Sequence, residues 1–399
     1  MADGDERLIY LDNAATAWPK PENVYQFMID FYKRCGVNPG RSGFDLAIEA
    51  GNIVEDLRKR LTKFFGGDED APERLCFGYN ATDALNLIIN GILSPGDHVV
   101  TTNLEHNSVI RPINHQVRDG AVEATFVPFG SDGFVDPNDI KAAIRKNTKL
   151  VIVNHGSNVL GTIQPVSEIG RVCKEMNVLF GVDSSQTAGV IPIDMKEMNI
   201  DVLAFTGHKA LMGCTGIGGL CVRKDIEIRQ TRSGGTGVDS LYPYHLERYP
   251  YRLEYGTPNM VGIAALWAGQ DWIDAQGIEN IYAHEHRLAK KLVNGFKEID
   301  GLTSYCCNDM KNHLSTVSIN VEGMDAGNVG TWLDVNYNIA TRTGLHCAPL
   351  AHKQIGTLEK HGAVRFSIGA FNTDDDIDAA VSAIAEIAAW VQEQSLQAK

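Results

Sequence analysis

The chain has 399 residues, 44% of them apolar, which suits two or three globular domains with large cores and excludes a disordered polymer. A formal net charge of −14 argues against nucleic acid or an anionic membrane surface as main partner, while leaving room for a local basic pocket. The opening MADGDERLIY has neither a basic n-region nor an apolar h-region, and no apolar run reaches the length of a membrane span, so a cytoplasmic protein with eight reduced cysteines is expected.

In chain order, residues 8–11 read as a short strand leading into Asp12-Asn13-Ala14-Ala15-Thr16. A helix is predicted from about Glu22, with Val24, Phe27, Met28 and Phe31 on one face, and a second runs to Phe65 and stops at Gly66-Gly67. Short apolar runs then alternate with helical patterns, at 74–77, 98–102, 124–129, 150–153, 178–182, 202–205 and 219–222. Asn80 and Asp83 stand where an N-cap and third residue would open the helix carrying Leu85, Ile88, Ile89 and Ile92. This alternation predicts βαβ units, an α/β class and a mostly parallel sheet. Several runs end in polar clusters, at His106, Asn158, 183–186 and 206–209. Parallel strands share a carboxyl edge, so these clusters should converge on one crevice. An irregular stretch, 250–258, holds Glu254-Tyr255-Gly256-Thr257. Beyond it come helices from Met260 and Ile278, then a smaller α+β unit with strands at 316–321 and 364–366. A last helix opens with Asp374-Asp375-Asp376, three carboxylates that suit its dipole. The predicted organisation is an amino-terminal segment, 1–20, packing with the small domain, a large domain, 21–257, and a small one, 258–399.

Lys209 lies in VLAFTGHKALMGCTGIGG, just past a fully apolar run. A lone lysine in a turn is ordinarily a surface residue, and its company changes that reading. The glycines at 213–219 lead into a strand rather than a helix, which excludes a dinucleotide fingerprint, and no P-loop pattern occurs. Without a C-x-x-C pair, and with His284 and His286 facing apart on a helix, no metal site is expected. Asp183 ends another apolar run, where a carboxylate needs a cation. A structural ion pair would satisfy it; so would the pyridinium nitrogen of pyridoxal phosphate. Asp183, His106 and Lys209 then offer a charge for the ring nitrogen, a flat partner for the ring and an amine for the aldehyde. The helix start at Ala81-Thr82 offers amides for the phosphate.

Taken together, these motifs resemble those of the class V aminotransferase family, and within it the cysteine desulfurase and selenocysteine lyase group. The resemblance spans Tyr10 to Thr373 and rests on Glu105-His106-Asn107, His155-Gly156-Ser157-Asn158, Val182-Asp183 with Gln186, Thr206-Gly207-His208-Lys209, Gly256-Thr257-Pro258-Asn259 and 342–348, RTGLHCA. It implies the pyridoxal-phosphate fold type I, with a mostly parallel seven-stranded sheet flanked by helices. It also implies a reaction taking L-cysteine to L-alanine with sulfur left on an enzyme cysteine; a selenocysteine lyase acting on L-selenocysteine, or another lyase or aminotransferase, is the alternative. By resemblance Lys209 bonds the cofactor, Asp183 pairs with its ring nitrogen, His106 stacks on it and Gln186 meets its phenolic oxygen. Ala81, Thr82, Thr206 and His208 hold the phosphate, and Thr257 reaches the cofactor of the other subunit of a homodimer. Asn13, Asn158, Arg342 and Arg365 bind substrate, Cys347 accepts the sulfur, and a further acceptor protein receives sulfur or selenium. The sequence departs from the family pattern at Ala81, where a threonine is frequent, at Leu345 before His346, and at Arg41-Ser42-Gly43, which lacks a histidine.

Overall fold

The computed structural model describes residues 7–39, 43–306 and 309–397, so Arg41 and Ser42 of that last departure lie outside the described residues. The larger core is built on seven strands in the order Leu75–Gly78, Gly218–Val222, Val202–Thr206, Leu179–Asp183, Thr148–Asn154, His98–Thr102 and Glu123–Val127. Gly218–Val222 runs antiparallel to both of its neighbours, and every other pairing is parallel. Val202–Thr206 is buried along its whole length. Val202 and Ala204 pack among Leu85, Ile88 and Ile89 of the Ala81–Ile92 helix, while Leu203 and Phe205 face Leu57, Leu61 and Phe65. A strand covered on both faces shows an unbroken apolar run, the pattern read from its sequence. The glycines that fail as a dinucleotide loop have a packing role instead: a Cβ on Gly219 would stand 2.2 Å from the Cys76 carbonyl oxygen, and one on Gly218 2.7 Å from that of Phe205.

A second, four-stranded antiparallel sheet has the order Arg342–Gly344, Ala363–Ser367, Thr316–Val321, Leu302–Ser304. Ile278–Lys297, Ala326–Tyr337 and Asp374–Gln397 complete its core. The passage from one core to the other does not fall at Pro258. Met260–Gln276 packs through Ile263, Leu266 and Ile273 in the larger core, and the change comes inside the next helix, where Ile281 joins the larger core and Leu288 the smaller. The amino-terminal segment enters the smaller body. Ile9–Tyr10 pairs in parallel with Ile339–Ala340, Leu11 joins that core, and Asp12 bridges to Ser367. Among the described residues no helix is long and apolar enough to cross a membrane.

Candidate active site

At the carboxyl edge of the large sheet, Asn154 and Asp183 are register partners, and Thr206 ends the next strand. Here lies a cavity of about 200 Å³ whose wall includes Ala81, Thr82, His106, Asn158, Asp183, Gln186, Thr206, His208 and Lys209, joined by Arg342 and Arg365 from the smaller sheet. The sequence-predicted polar clusters therefore meet in one place.

Lys209 is held by its backbone rather than by a helix. The carbonyl of His208 accepts from Thr16 Oγ1 at 3.0 Å, Ala17 N at 3.2 Å and Lys20 Nζ at 2.5 Å, so the amino-terminal segment clamps the peptide that carries the lysine. Burial brings the Lys209 amine down to about 8, with Asp183 opposing and Arg365 and Arg342 reinforcing the shift. Both hydrogen bonds on Asp183 fall on Oδ1, from Ser185 N at 2.9 Å and Ser185 Oγ at 2.5 Å. His106 Nδ1 accepts from the Ser108 amide at 3.1 Å, which assigns the proton of the neutral ring to Nε2. Burial, then Lys209, lowers His106 to about 4, so the ring is neutral at pH 7. Gln186 Nε2 donates to the Ala14 carbonyl at 3.0 Å.

One wall has the makings of an anion cradle. Asn80 caps the Ala81–Ile92 helix, its Oδ1 accepting from Asp83 N at 3.0 Å, and its carbonyl accepts from Ala84 N at 3.1 Å. The first-turn amides of Ala81 and Thr82, on the cavity wall, are not taken by that cap. Thr206 Oγ1 and His208 Nδ1 are buried there without a partner. Unpaired donors beside a helix N-terminus fit a phosphate. A buried amine, a carboxylate and a neutral imidazole nearby fit an aldehyde-bearing pyridine ring.

The opposite wall is cationic. Arg365 is buried, with Nη2 2.6 Å from Asp12 Oδ1, Nη1 donating to the Asn158 carbonyl at 3.0 Å, and Nε without a partner. Asn158 Nδ2 donates to the His346 carbonyl at 2.7 Å, so its amide hydrogens face the Cys347 loop. Cys347 itself is half-buried, outside the cavity lining and linked to it through Arg342. Its sulfur accepts from Arg342 Nη2 at 3.3 Å, and its carbonyl accepts from Asn107 N at 2.7 Å. Residues 342–354 lack a strand or helix pattern in sequence. The structure instead puts Cys347 on a short tether between the Arg342–Gly344 edge strand and the Pro349–Gln354 helix.

Two further predicted residues line other cavities. Asn13 Nδ2 donates to the Ser367 carbonyl at 3.0 Å and to Asn372 Oδ1 at 3.2 Å, and the residue lines a neighbouring cavity of about 40 Å³. Thr257 lines a separate cavity of about 670 Å³ with Arg58, Tyr79, Tyr255 and Glu254. Sequence reasoning missed Ser185, Lys20 and Asp12. Ser185 had a readable signal, since Asp-Ser-Ser is a frequent aspartate turn. Lys20 and Asp12 had none, because their partners are 188 and 353 residues away.

The class V aminotransferase family model matches residues 9–380. The chain belongs to that family. Among its relatives, the probable cysteine desulfurase of Methanothermobacter thermautotrophicus is 34% identical over 95% of this chain and 94% of its own length. That of Pyrococcus abyssi is also 34% identical, over 96% and 94%. The apo structure of the cysteine desulfurase from Thermococcus onnurineus superposes with a TM-score of 0.86 at 32% identity, covering 96% of this chain and 94% of that one. Class V aminotransferases are pyridoxal-phosphate-dependent, in accord with the amine, carboxylate and anion cradle above.

Proposed function

We propose that this protein is a pyridoxal-phosphate-dependent cysteine desulfurase, which takes L-cysteine to L-alanine and leaves the sulfur on Cys347 as a persulfide. The observation that carries the reading is Arg342, which lines one cavity with the buried amine of lowered basicity, Lys209, and donates to the sulfur of Cys347 at 3.3 Å. Lys209 would hold the cofactor through its amine, which suits an aldehyde. Asp183 would serve the ring nitrogen, His106 the ring face and Gln186 the phenolic oxygen, all three lining the same cavity. Thr82, Thr206 and His208, with the amides of Ala81 and Thr82, would hold the phosphate. When bound, the cofactor supplies an electron sink for negative charge at the substrate Cα.

The chain's residues do the rest. Arg365, through its unpartnered Nε, receives the substrate carboxylate. Lys209 Nζ, once free, takes the Cα proton, a task suited to an amine that titrates near 8. Arg342 holds Cys347 Sγ toward the substrate sulfur. A bond forms between the two sulfurs while the substrate Cβ–S bond breaks; its electron pair stays on carbon, which gains a proton on the way to alanine. The persulfide then needs an acceptor outside the cavity, and a half-buried position suits that handover. Thr257 lines a different cavity from Lys209, beside the exposed Tyr79, and by the family resemblance it would reach the cofactor of a second copy in a homodimer.

Amino-acid analysis after incubation with L-cysteine tests the reading. The wild type should release alanine. Cys347→Ser should release none while keeping the yellow colour of bound cofactor, and borohydride should bleach that colour and leave the cofactor covalently attached to Lys209. Alanine from Cys347→Ser at the wild-type rate would overturn the persulfide route. A parallel arm with L-selenocysteine measures the selenium preference.

A further inference from the structure

Behind Cys347 runs a buried chain of side chains that plays no part in the reaction as described. His346 Nε2 lies 3.2 Å from the Arg342 carbonyl oxygen, and His346 Nδ1 lies 3.1 Å from His352 Nε2. His352 Nδ1 lies 2.7 Å from Thr357 Oγ1. His346, His352 and Thr357 are all buried.

The terminal carbonyl fixes every proton in this chain. A carbonyl oxygen only accepts, so His346 Nε2 carries a hydrogen. In the neutral ring Nδ1 must then accept, which puts the His352 proton on Nε2. His352 Nδ1 is left as an acceptor, and the Thr357 hydroxyl donates to it in preference to the His352 carbonyl oxygen at 3.3 Å. With both rings neutral, every donor has one acceptor. Burial keeps them so: His346 is pushed well below the ordinary range and His352 to about 4, and the charge of Arg365 presses both the same way.

The chain braces a costly backbone. His346 and Cys347 are consecutive non-glycine residues in the left-handed region, at φ 47° and 57°. Such residues persist when the surroundings over-determine them. Asn158 and Asn107 hold the two carbonyls of this pair. The His346 ring adds a tie of another kind, because it reaches back to the carbonyl of Arg342, the residue whose guanidinium donates to the Cys347 sulfur.

We infer that His352, backed by Thr357, is a positioning residue for Cys347: by donating to His346 Nδ1 it fixes that ring on the Arg342 carbonyl and so keeps the thiol against the Arg342 guanidinium. The inference rests on Cys347 as the sulfur acceptor for its meaning, but its geometry can be tested without turnover. Three variants serve. His352→Phe keeps a ring and removes the donor. His352→Gln restores an amide donor near the place of Nε2. Thr357→Val removes the far hydroxyl at nearly constant volume.

The readouts, on the purified holoenzyme, are the iodoacetamide alkylation rate of Cys347 at pH 7, kcat and KM for L-cysteine, and a thermal melt. His352→Phe should lower the alkylation rate and kcat by about tenfold, the rate equivalent of one lost buried hydrogen bond, with KM unchanged, and His352→Gln should stay within about threefold of wild type. Thr357→Val should fall between them. Wild-type alkylation in a folded His352→Phe, or a Gln variant as slow as the Phe variant, overturns the inference. If the Phe variant does not fold, Thr357→Val decides, and an unchanged alkylation rate there overturns it equally. If the wild type gives no alanine while His352→Phe still slows alkylation, the positioning role stands and the desulfurase reading falls.

Discussion

Ser315 Oγ lies 3.0 Å from Glu285 Oε2 and 2.8 Å from the Ile368 carbonyl oxygen, and its one proton cannot serve both. A protonated Glu285 resolves the conflict, donating to Ser315 while Ser315 donates to Ile368. Burial raises this carboxyl to about 8, with Ser315 opposing, in agreement with that arrangement. Its folded pKa is above the unfolded value of about 4.3, so its contribution to stability is full below that pH and drains away as pH rises toward 8. Glu285→Gln carries a permanent donor and has no such slope. Its melting temperature relative to wild type should climb by a few degrees between pH 5 and pH 8; Glu105, also raised to about 8, is common to both proteins and cancels. A difference that does not change with pH would refute a neutral Glu285. Lys209 gives a second prediction at this scale. Only the neutral amine reacts with an aldehyde, so pyridoxal phosphate uptake by apoprotein should quicken about tenfold from pH 7 to pH 9 and then level off, as a group titrating near 8 requires. Uptake that keeps accelerating beyond pH 10 would describe an ordinary lysine.

The Ala81–Ile92 helix shows why much of the fold could be read from the sequence. Asn80 and Asp83 form a local signal, and the structure shows the predicted bond between Asn80 Oδ1 and the Asp83 amide. Asn80→Ala should cost ~1 kcal/mol in a urea melt and loosen the first turn beside the anion cradle. A melt within error of wild type would mean that water replaces the cap. The strands of the large sheet were legible for a similar reason, since burial on both faces writes an apolar run at each. Elements whose definition lies far along the chain were not. Arg342–Gly344 is three residues long, too short to show an alternation, and exists because Ala363–Ser367 pairs with it. Ile9–Tyr10 is a strand by virtue of Ile339–Ala340. The site divides along the same line. Lys209, Asp183 and His106 stand at ends of readable runs, whereas the ties of Asp12 and Lys20 are tertiary facts with no periodicity to announce them, and those of His352, though local, lie in a stretch with no regular period.

Across the whole molecule, the cavity is assembled from two sheets, and the amino-terminal segment joins them. Leu11 is in the smaller core, Asp12 pairs with Arg365, and Thr16, Ala17 and Lys20 hold the carbonyl next to Lys209. Asp12→Ala should cost roughly 3–5 kcal/mol of stability, because it strands the buried Arg365 guanidinium. A urea midpoint unchanged from wild type would show that the pair is dispensable.

The same joining segment sets an order of events during synthesis. Asp12 must wait, unpaired, until Arg365 and Ser367 have been translated. A nascent chain stalled before Arg365 can form the large sheet, yet its lysine pocket lacks a finished wall. The wall that receives the substrate carboxylate is thereby completed only once Arg365 has been made, later than the strands that carry Asp183 and Lys209.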